Sequence, residues 1–265
     1  MTINEKGLKD LRRAVELLEN PSFIARITDF VGQPVEKVID FLPNQVSGKV
    51  QDAVKAVLSK LLNLSVKTLD EDFDGPASTI THKIATGVSG AIGGAFGLPA
   101  LAVELPISTS IILRSIADIA RGEGEDITSL EARLACLEVF ALGGRSEADD
   151  GAETGYFAVR AALAKAVSDA AKFIAQKGLT GKSAPVIARL IAQLASRFGA
   201  VVSQKVAAQA VPLIGALGGA TINLLFVDHF QDIARGHFIV RRLERDYGKE
   251  EVQKAYEKIR SGETG

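Results

Sequence analysis

The decapeptide DHFQDIARGH, residues 228–237, carries two of the chain's three histidines and two aspartates. At helical spacing His229 and Asp232 share one face, and His237 follows about two turns later. A bound cation or a shuttled proton needs such groups to converge, so His229, Asp232, His237 and Glu104 form a candidate metal or acid–base site. The pattern lacks a metal-ligand signature such as H-E-x-x-H. On the helical wheel His237 also falls with Phe230 and Ile233 on the apolar side, as do Asn223 and Arg241. Polar groups inside a core require partners. The expectation is therefore a buried structural network of Glu104, Arg114, Asp118, His229, Asp232, His237 and Arg241, with no resident metal and no cofactor. His82 stands alone and is assigned no role.

Other chemical motifs fail on inspection. Residues 178–183, GLTGKS, end like a phosphate-binding loop, but the position of its first glycine is Gln176 and no strand precedes it. Ser203 belongs to no G-x-S-x-G elbow. Asp70, Asp72, Asp74 and Gly75 match the first half of a calcium loop, yet its twelfth position, which should be a bidentate Glu, is Thr81. An acidic linker is expected there. The single Cys136 excludes an intrachain disulfide framework and thiolate-rich zinc sites.

These residues must be positioned by helices, because no segment alternates with period two. The stripe Val159, Leu163, Ala166, Ala170, Phe173 repeats at steps of three and four, a helical core face, with Lys165, Asp169 and Lys172 opposite. Helices are predicted at 8–19, 22–42 with a break at 32–34, 45–69, 79–97, 105–121, 128–142, 155–177, 184–209 and 213–246. Thr128 and Glu131 have capping-box spacing for the sixth of these. The fold class is all-α, a multi-helix bundle. Residues 1–74 are expected to form an N-terminal helical arm and residues 75–260 the main domain. In the arm, Val46, Val50, Val54, Val57, Leu61 and Leu64 share a face flanked by Lys49, Lys60 and Lys67. That edge suits an anionic membrane surface, although a core-facing helix with a solvated lysine edge is the favoured expectation.

Two stretches are unusually apolar. Glu104 is the only charge between Lys83 and Arg114, and no charge occurs from Val206 to Val227. The second stretch reaches the length of about 20 residues that spans a bilayer, but Gln209, Pro212 and Asn223 interrupt it. Both carry the phrase G-A-(I/L)-G-G-A, at 90–95 and 215–220, and both are followed by D-I-A-R-G, at 118–122 and 232–236. A glycine in an exposed helix interior costs about 1 kcal/mol relative to Ala, so the clusters need a packing reason. Gly90/Gly94 and Gly215/Gly219 are G-x-x-x-G pairs that bare one helix face to a close neighbour. The echo predicts an internally duplicated helical hairpin. Gly90, Gly94, Gly215, Gly219 and Asn223 are expected to line its lipid-facing or ligand-facing side.

Composition bounds the function. The 265 residues are 47% hydrophobic and 24% charged with a net charge of -1, which is globular and offers no field for nucleic acid. Mean hydropathy is +0.17, high for a freely soluble chain. The opening MTINEKGLKDLRR contains no apolar leader core, so a cytoplasmic setting is expected, at most peripheral on the inner face of a membrane.

Over residues 75–260 the chain resembles the EcsC family. The resemblance rests on GGAFGLP at 93–99, Glu104-Leu105-Pro106, Arg114, GED at 124–126, Glu131 and LGG at 142–144. It continues through Arg197-Phe198-Gly199, Ser203-Gln204-Lys205, Gln209, Pro212, HFQDIARGHF and RRLERDYG. Glu123 stands where the family pattern suggests an aromatic residue. The resemblance implies a family named for a gene beside a transporter operon and supplies no catalytic residues. The expected function is a non-enzymatic helical protein that binds a membrane surface or an apolar ligand, with a transporter or envelope protein as partner. A metal-dependent hydrolase built on the His229/His237 cluster is the alternative.

Overall fold

The computed structural model describes residues 2–19, 23–31, 44–67, 98–144, 155–178, 184–209 and 215–262. Every element among them is an α-helix, as the periodicity requires. In chain order they are α1 (Glu5–Glu19), α2 (Phe23–Val31), α3 (Asn44–Lys67), α4 (Leu98–Gly122) and α5 (Leu130–Leu142). They continue with α6 (Tyr156–Lys177), α7 (Pro185–Gln209), α8 (Gly215–Tyr247) and α9 (Lys249–Arg260). The expected helix at 79–97 and the acidic linker lie outside the described residues.

The longest element, α8, runs through the centre and is flanked by α1, α2, α4, α5, α7 and α9. Its aromatic stripe Phe226 and Phe230 forms a cluster with Phe140 of α5, Phe198 of α7 and Phe23 of α2, in edge-to-face and tilted contacts with centroids 4.9–6.2 Å apart. Such contacts add to the burial of the rings. A second, smaller core beside the C-terminal half of α8 joins Leu11, Ala14 and Val15 of α1 to Tyr156, Leu243, Val252 and Tyr256.

The helices expected as an arm contribute to these cores. Val50, Val54, Val57 and Leu61 of α3 are buried against α4, α5 and α7, so most of its apolar face is occupied, Leu64 is exposed, and Lys49 and Lys60 form its solvated edge. In α6 the stripe Val159, Leu163, Ala166 and Ala170 is buried as expected, but Ile174, not Phe173, completes it. Lys177 instead lies 5.8 Å from the half-exposed Phe173 ring.

Three boundaries differ from expectation. The cap of α5 is Ser129, whose hydroxyl accepts from the Ala132 amide, while the Thr128 hydroxyl turns to Asp126. Helix α4 begins at Leu98 and continues through Pro106. Pro99 sits in its first turn, where no amide is missed. Around Pro106 the hydroxyls of Ser108 and Thr109 donate to the Leu105 carbonyl, and Ser110 donates to that of Pro106. Helix α9 was not anticipated; Gly248, at φ 93°, supplies the left-handed turn that starts it.

The two D-I-A-R-G copies form the same local ion pair, Asp118 to Arg121 at 2.7 Å and Asp232 to Arg235 at 2.9 Å. Their surroundings differ: Gly122 closes α4 in open space, whereas Gly236 lies mid-α8 against α1. The duplicated hairpin therefore has no support beyond that local pair. Gly90 and Gly94 lie outside the described residues, and Gly215 and Gly219 occupy the first turns of α8. A Cβ on Gly236 would meet Leu18 Cγ at 2.6 Å and the Ala14 carbonyl oxygen at 3.2 Å. Gly236→Ala should therefore destabilise by about 1–3 kcal/mol by overpacking. At an open helical position it would stabilise by up to about 1 kcal/mol. A thermal melt distinguishes the two by its sign, and a higher melting temperature would rule out the close α1–α8 contact.

Candidate functional site

The expected polar network is resolved into separate clusters, each set by which helix α8 faces at that level. Nearest the start of α8, Lys205 of α7 is 1% exposed and donates to Glu104 of α4 at 2.6 Å. Its ammonium also lies 4.4 Å from the Phe226 ring centroid. Burial lowers the Lys205 pKa below its ordinary value, opposed by Glu104. One helical turn before Phe226 and on the same face stands Asn223, whose Oδ1 is buried with no hydrogen-bond partner. Glu104, Ile107 and Ile111 fall at positions i, i+3 and i+7 of α4 and share a stripe. Ile107, Ile111 and Leu224 are exposed at 36%, 38% and 64%. The Lys205–Glu104 pair thus ties α7 to α4, with the exposed Ile107 and Ile111 further along the Glu104 stripe and the exposed Leu224 on α8.

Further along α8, the His229 ring nitrogen Nε2 is 2.8 Å from the Gly143 carbonyl oxygen. Burial holds its pKa down at about 4, so the ring is neutral and donates to that carbonyl. Asp232 accepts from Arg26 of α2 and from Arg235, both at 2.9 Å. His229 is thus a tether for the end of α5, and Asp232 a tether for α2.

Two turns beyond His229, His237 is completely buried. Its Nδ1 is 2.8 Å from the Tyr156 hydroxyl, and its Nε2 has no hydrogen-bond partner and lies 4.0 Å from Glu138. Burial drives the His237 pKa well below the ordinary value, reinforced by Arg160 and Arg241, and raises that of Glu138 to about 7. Arg160 makes a two-pronged pair with Glu244, at 2.8 and 3.0 Å, and sits 5.3 Å from the Tyr156 ring centroid. Outside this pair is a cleft of about 460 Å³ between α6 and α9, lined by Tyr156, Phe157, Arg160, Glu244, Lys249 and Tyr256 among others.

At the end of α8, Arg241 grips Glu125 with two bonds of 2.9 and 3.0 Å, and Arg245 also donates to Glu125. Burial pushes the Glu125 carboxyl up, but the two guanidinium groups outweigh it and hold the pKa below its ordinary value. Arg242 spans Glu123 and Asp10 at 2.7 and 2.9 Å. Glu123, the departure from the family pattern, thus has a partner in the same arginine run. Asp118 is exposed and pairs with Arg121 within its own turn. Arg114 is half-buried on α4.

The residues named for a metal or acid–base site are therefore not one constellation. Glu104 is committed to Lys205, His229 to Gly143 and His237 to Tyr156. The described residues hold no group of three or more His, Cys, Asp or Glu placed to bind a metal ion. Sequence patterns missed Lys205, Glu138, Tyr156, Arg160 and Glu125. One signal was available for Glu138: α5 buries Leu134, Ala135, Leu137, Val139 and Phe140 around its circumference, so a mid-helix carboxylate had little access to water.

A helical bundle whose central helix is tethered to its neighbours by ion pairs and neutral histidines is the class that fold and site define. The EcsC protein family matches residues 5–243, and the chain belongs to that family. The match takes in α1 to α3, which the resemblance drawn from motifs had left outside. No curated protein and no solved structure matches the chain.

Proposed function

We propose that this protein is a non-enzymatic helical protein that associates peripherally with the inner face of a membrane, or takes up an apolar ligand from it. The carrying observation is the exposed surface of Ile107, Ile111 and Leu224 on two packed helices. All three belong to the two stretches that are nearly free of charge. Single exposed apolar residues are ordinary, but Ile107 and Ile111 one turn apart on α4, with Leu224 on the helix packed against it, suit a lipid or ligand surface. Helix α7 is long and apolar enough to cross a membrane by length and composition. Its Leu190, Leu194, Phe198, Val201 and Val202 nevertheless serve the bundle core, which favours peripheral attachment. The family's transporter-linked name extends the reading to a partner in a transport or envelope system.

Burying one such side chain contributes about 1.5–3 kcal/mol. The triple replacement Ile107→Glu, Ile111→Glu and Leu224→Glu should therefore reduce co-sedimentation with phospholipid vesicles at least about tenfold. The melting temperature should move little, because the changes are at the surface. Undiminished vesicle binding by the folded triple variant would dismiss this surface, and a parent protein that ignores vesicles would dismiss the reading.

A further inference from the structure

The geometry points to a two-state proton switch: protonation of Glu138 on α5 sets the tautomer of His237 on α8. That tautomer in turn sets which way the hydrogen bond between His237 and Tyr156 of α6 runs.

Three observations carry it. The first is an imidazole with one nitrogen bonded and the other orphaned. His237 is completely buried, its Nδ1 lies 2.8 Å from the Tyr156 hydroxyl, and its Nε2 has no hydrogen-bond partner. A neutral imidazole carries one N–H and one bare nitrogen, so the bond at Nδ1 decides what Nε2 is. If Tyr156 donates, Nε2 holds the proton; if Nδ1 donates, Nε2 is a bare acceptor. Either form left unpaired costs free energy that a partner would recover.

The second is what faces that nitrogen. Glu138 Oε2 stands 4.0 Å away. The terminal torsion of Glu is broad, and a turn about it covers the last ångström or so to bonding distance. A carboxylate only accepts, so it requires N–H at Nε2 and leaves Nδ1 to accept from Tyr156. A carboxylic acid carries the most acidic donor of the three groups and gives it to the best acceptor, a bare Nε2. Nδ1–H then donates to the Tyr156 oxygen. Between the two states Glu138 loses its proton, the imidazole proton moves from Nδ1 to Nε2, and Tyr156 keeps its own. One proton is released to water in all.

The third is the setting. Glu138 is 12% exposed and can exchange protons with water, whereas His237 is sealed. Burial, reinforced by Arg160 of α6 and Arg241 of α8, keeps the imidazole neutral, so the ring changes tautomer and not charge. The same two arginines face Glu138 and are paired with Glu244 and Glu125, while Glu131 of α5 opposes its ionisation. Burial brings the carboxyl to about 7, so both states are populated near neutral pH. The Tyr156 ring stacks on Tyr256 of α9 and lines the cleft between α6 and α9. The switch thereby carries the pH at α5 to the wall of that cleft.

Nitrogen NMR of the full chain, with its histidines isotopically labelled, reads the tautomer, because a bare ring nitrogen and an N–H nitrogen resonate far apart. The other two histidines, His82 and His229, are assigned from the single variants His82→Gln and His229→Gln. In the parent the bare nitrogen of His237 should be Nε2 in mild acid and Nδ1 in mild base, with the midpoint at about 7. Glu138→Gln should hold one tautomer over the whole range, because its amide does not ionise. A parent His237 with the same tautomer throughout overturns the switch. A change of tautomer that persists in Glu138→Gln overturns the role of Glu138. A ring with both nitrogens protonated in mild acid changes charge and not tautomer, and overturns the proposal as well.

Discussion

Arg241→Ala is expected to destabilise the protein by about 3–5 kcal/mol, the range for removing one partner of a buried ion pair. For a chain of this length that corresponds to a fall in melting temperature on the order of 10 °C. Glu125 is only 6% exposed, and Arg241 supplies two of the three side-chain bonds it accepts from α8. Without Arg241 the carboxylate keeps only Arg245, which is 41% exposed and screened by water. The pair also closes the turn between α4 and α5, so its loss loosens two elements at once. The pH dependence has a definite sign. A carboxyl whose folded pKa lies below 4.5 contributes stability above pH 4.5, and that contribution disappears as pH falls through the folded value. The gap between parent and variant should therefore narrow in acid. Adding Glu125→Gln should restore part of the loss, because the unpaired charge is then gone. A variant that melts within about 2 °C of the parent at neutral pH would show that Arg245 suffices.

How far residues could be placed from sequence depended on whether a pattern or a partner was at issue. The face of α8 was legible, since Phe226, Phe230, Ile233 and His237 recur at helical steps and all are buried. Which helix each polar group meets was not, because facing residues come from anywhere in the chain. Glu104 and His237 were expected in one network, yet α7 intervenes with Lys205 at one level and α6 with Tyr156 at another. Lys205 directly precedes the uncharged run 206–227. Its burial arises because α4 and α8 close over it, which no local pattern encodes. The terminal helix α9 carries Val252 and Tyr256 at a spacing of four in a heavily charged segment, a weak periodic signal. The capping residue moved from Thr128 to Ser129 because Asp126 captures the threonine hydroxyl, a competition between two hydrogen bonds available to neighbouring residues. The close helix contact seen among the described residues is at Gly236 of the second D-I-A-R-G phrase, a glycine outside the G-x-x-x-G pairs.

Glu138→Gln should gain stability over the parent as pH rises, by about 3 kcal/mol between pH 4 and pH 8. Burial raises the carboxyl of Glu138 from an ordinary 4.5 to about 7, and that difference corresponds to about 3 kcal/mol. In the folded protein the neutral acid is favoured, so its contribution is full below pH 4.5 and is lost as pH rises through about 7. Glutamine cannot ionise and is spared this loss. The groups facing Glu138 explain why the penalty is not fully cancelled. Arg160 of α6 and Arg241 of α8 favour the carboxylate, but each is held by its own glutamate, Glu244 and Glu125, and Glu131 opposes it. The nearest ring nitrogen, His237 Nε2 at 4.0 Å, is beyond hydrogen-bonding distance and belongs to a neutral imidazole. The buried histidines act with the opposite sign. Their depressed pKa values contribute stability above pH 6.5 that is lost as pH falls, to about 4 for His229. That loss is common to parent and variant, so the difference between them isolates Glu138. Denaturant unfolding of both proteins at several pH values measures it. A constant difference across the range would mean that the Glu138 carboxyl has the same pKa folded and unfolded, so that burial does not hold its proton. A difference that widens with rising pH would mean that the middle of α5 is most tightly held when the carboxyl keeps its proton.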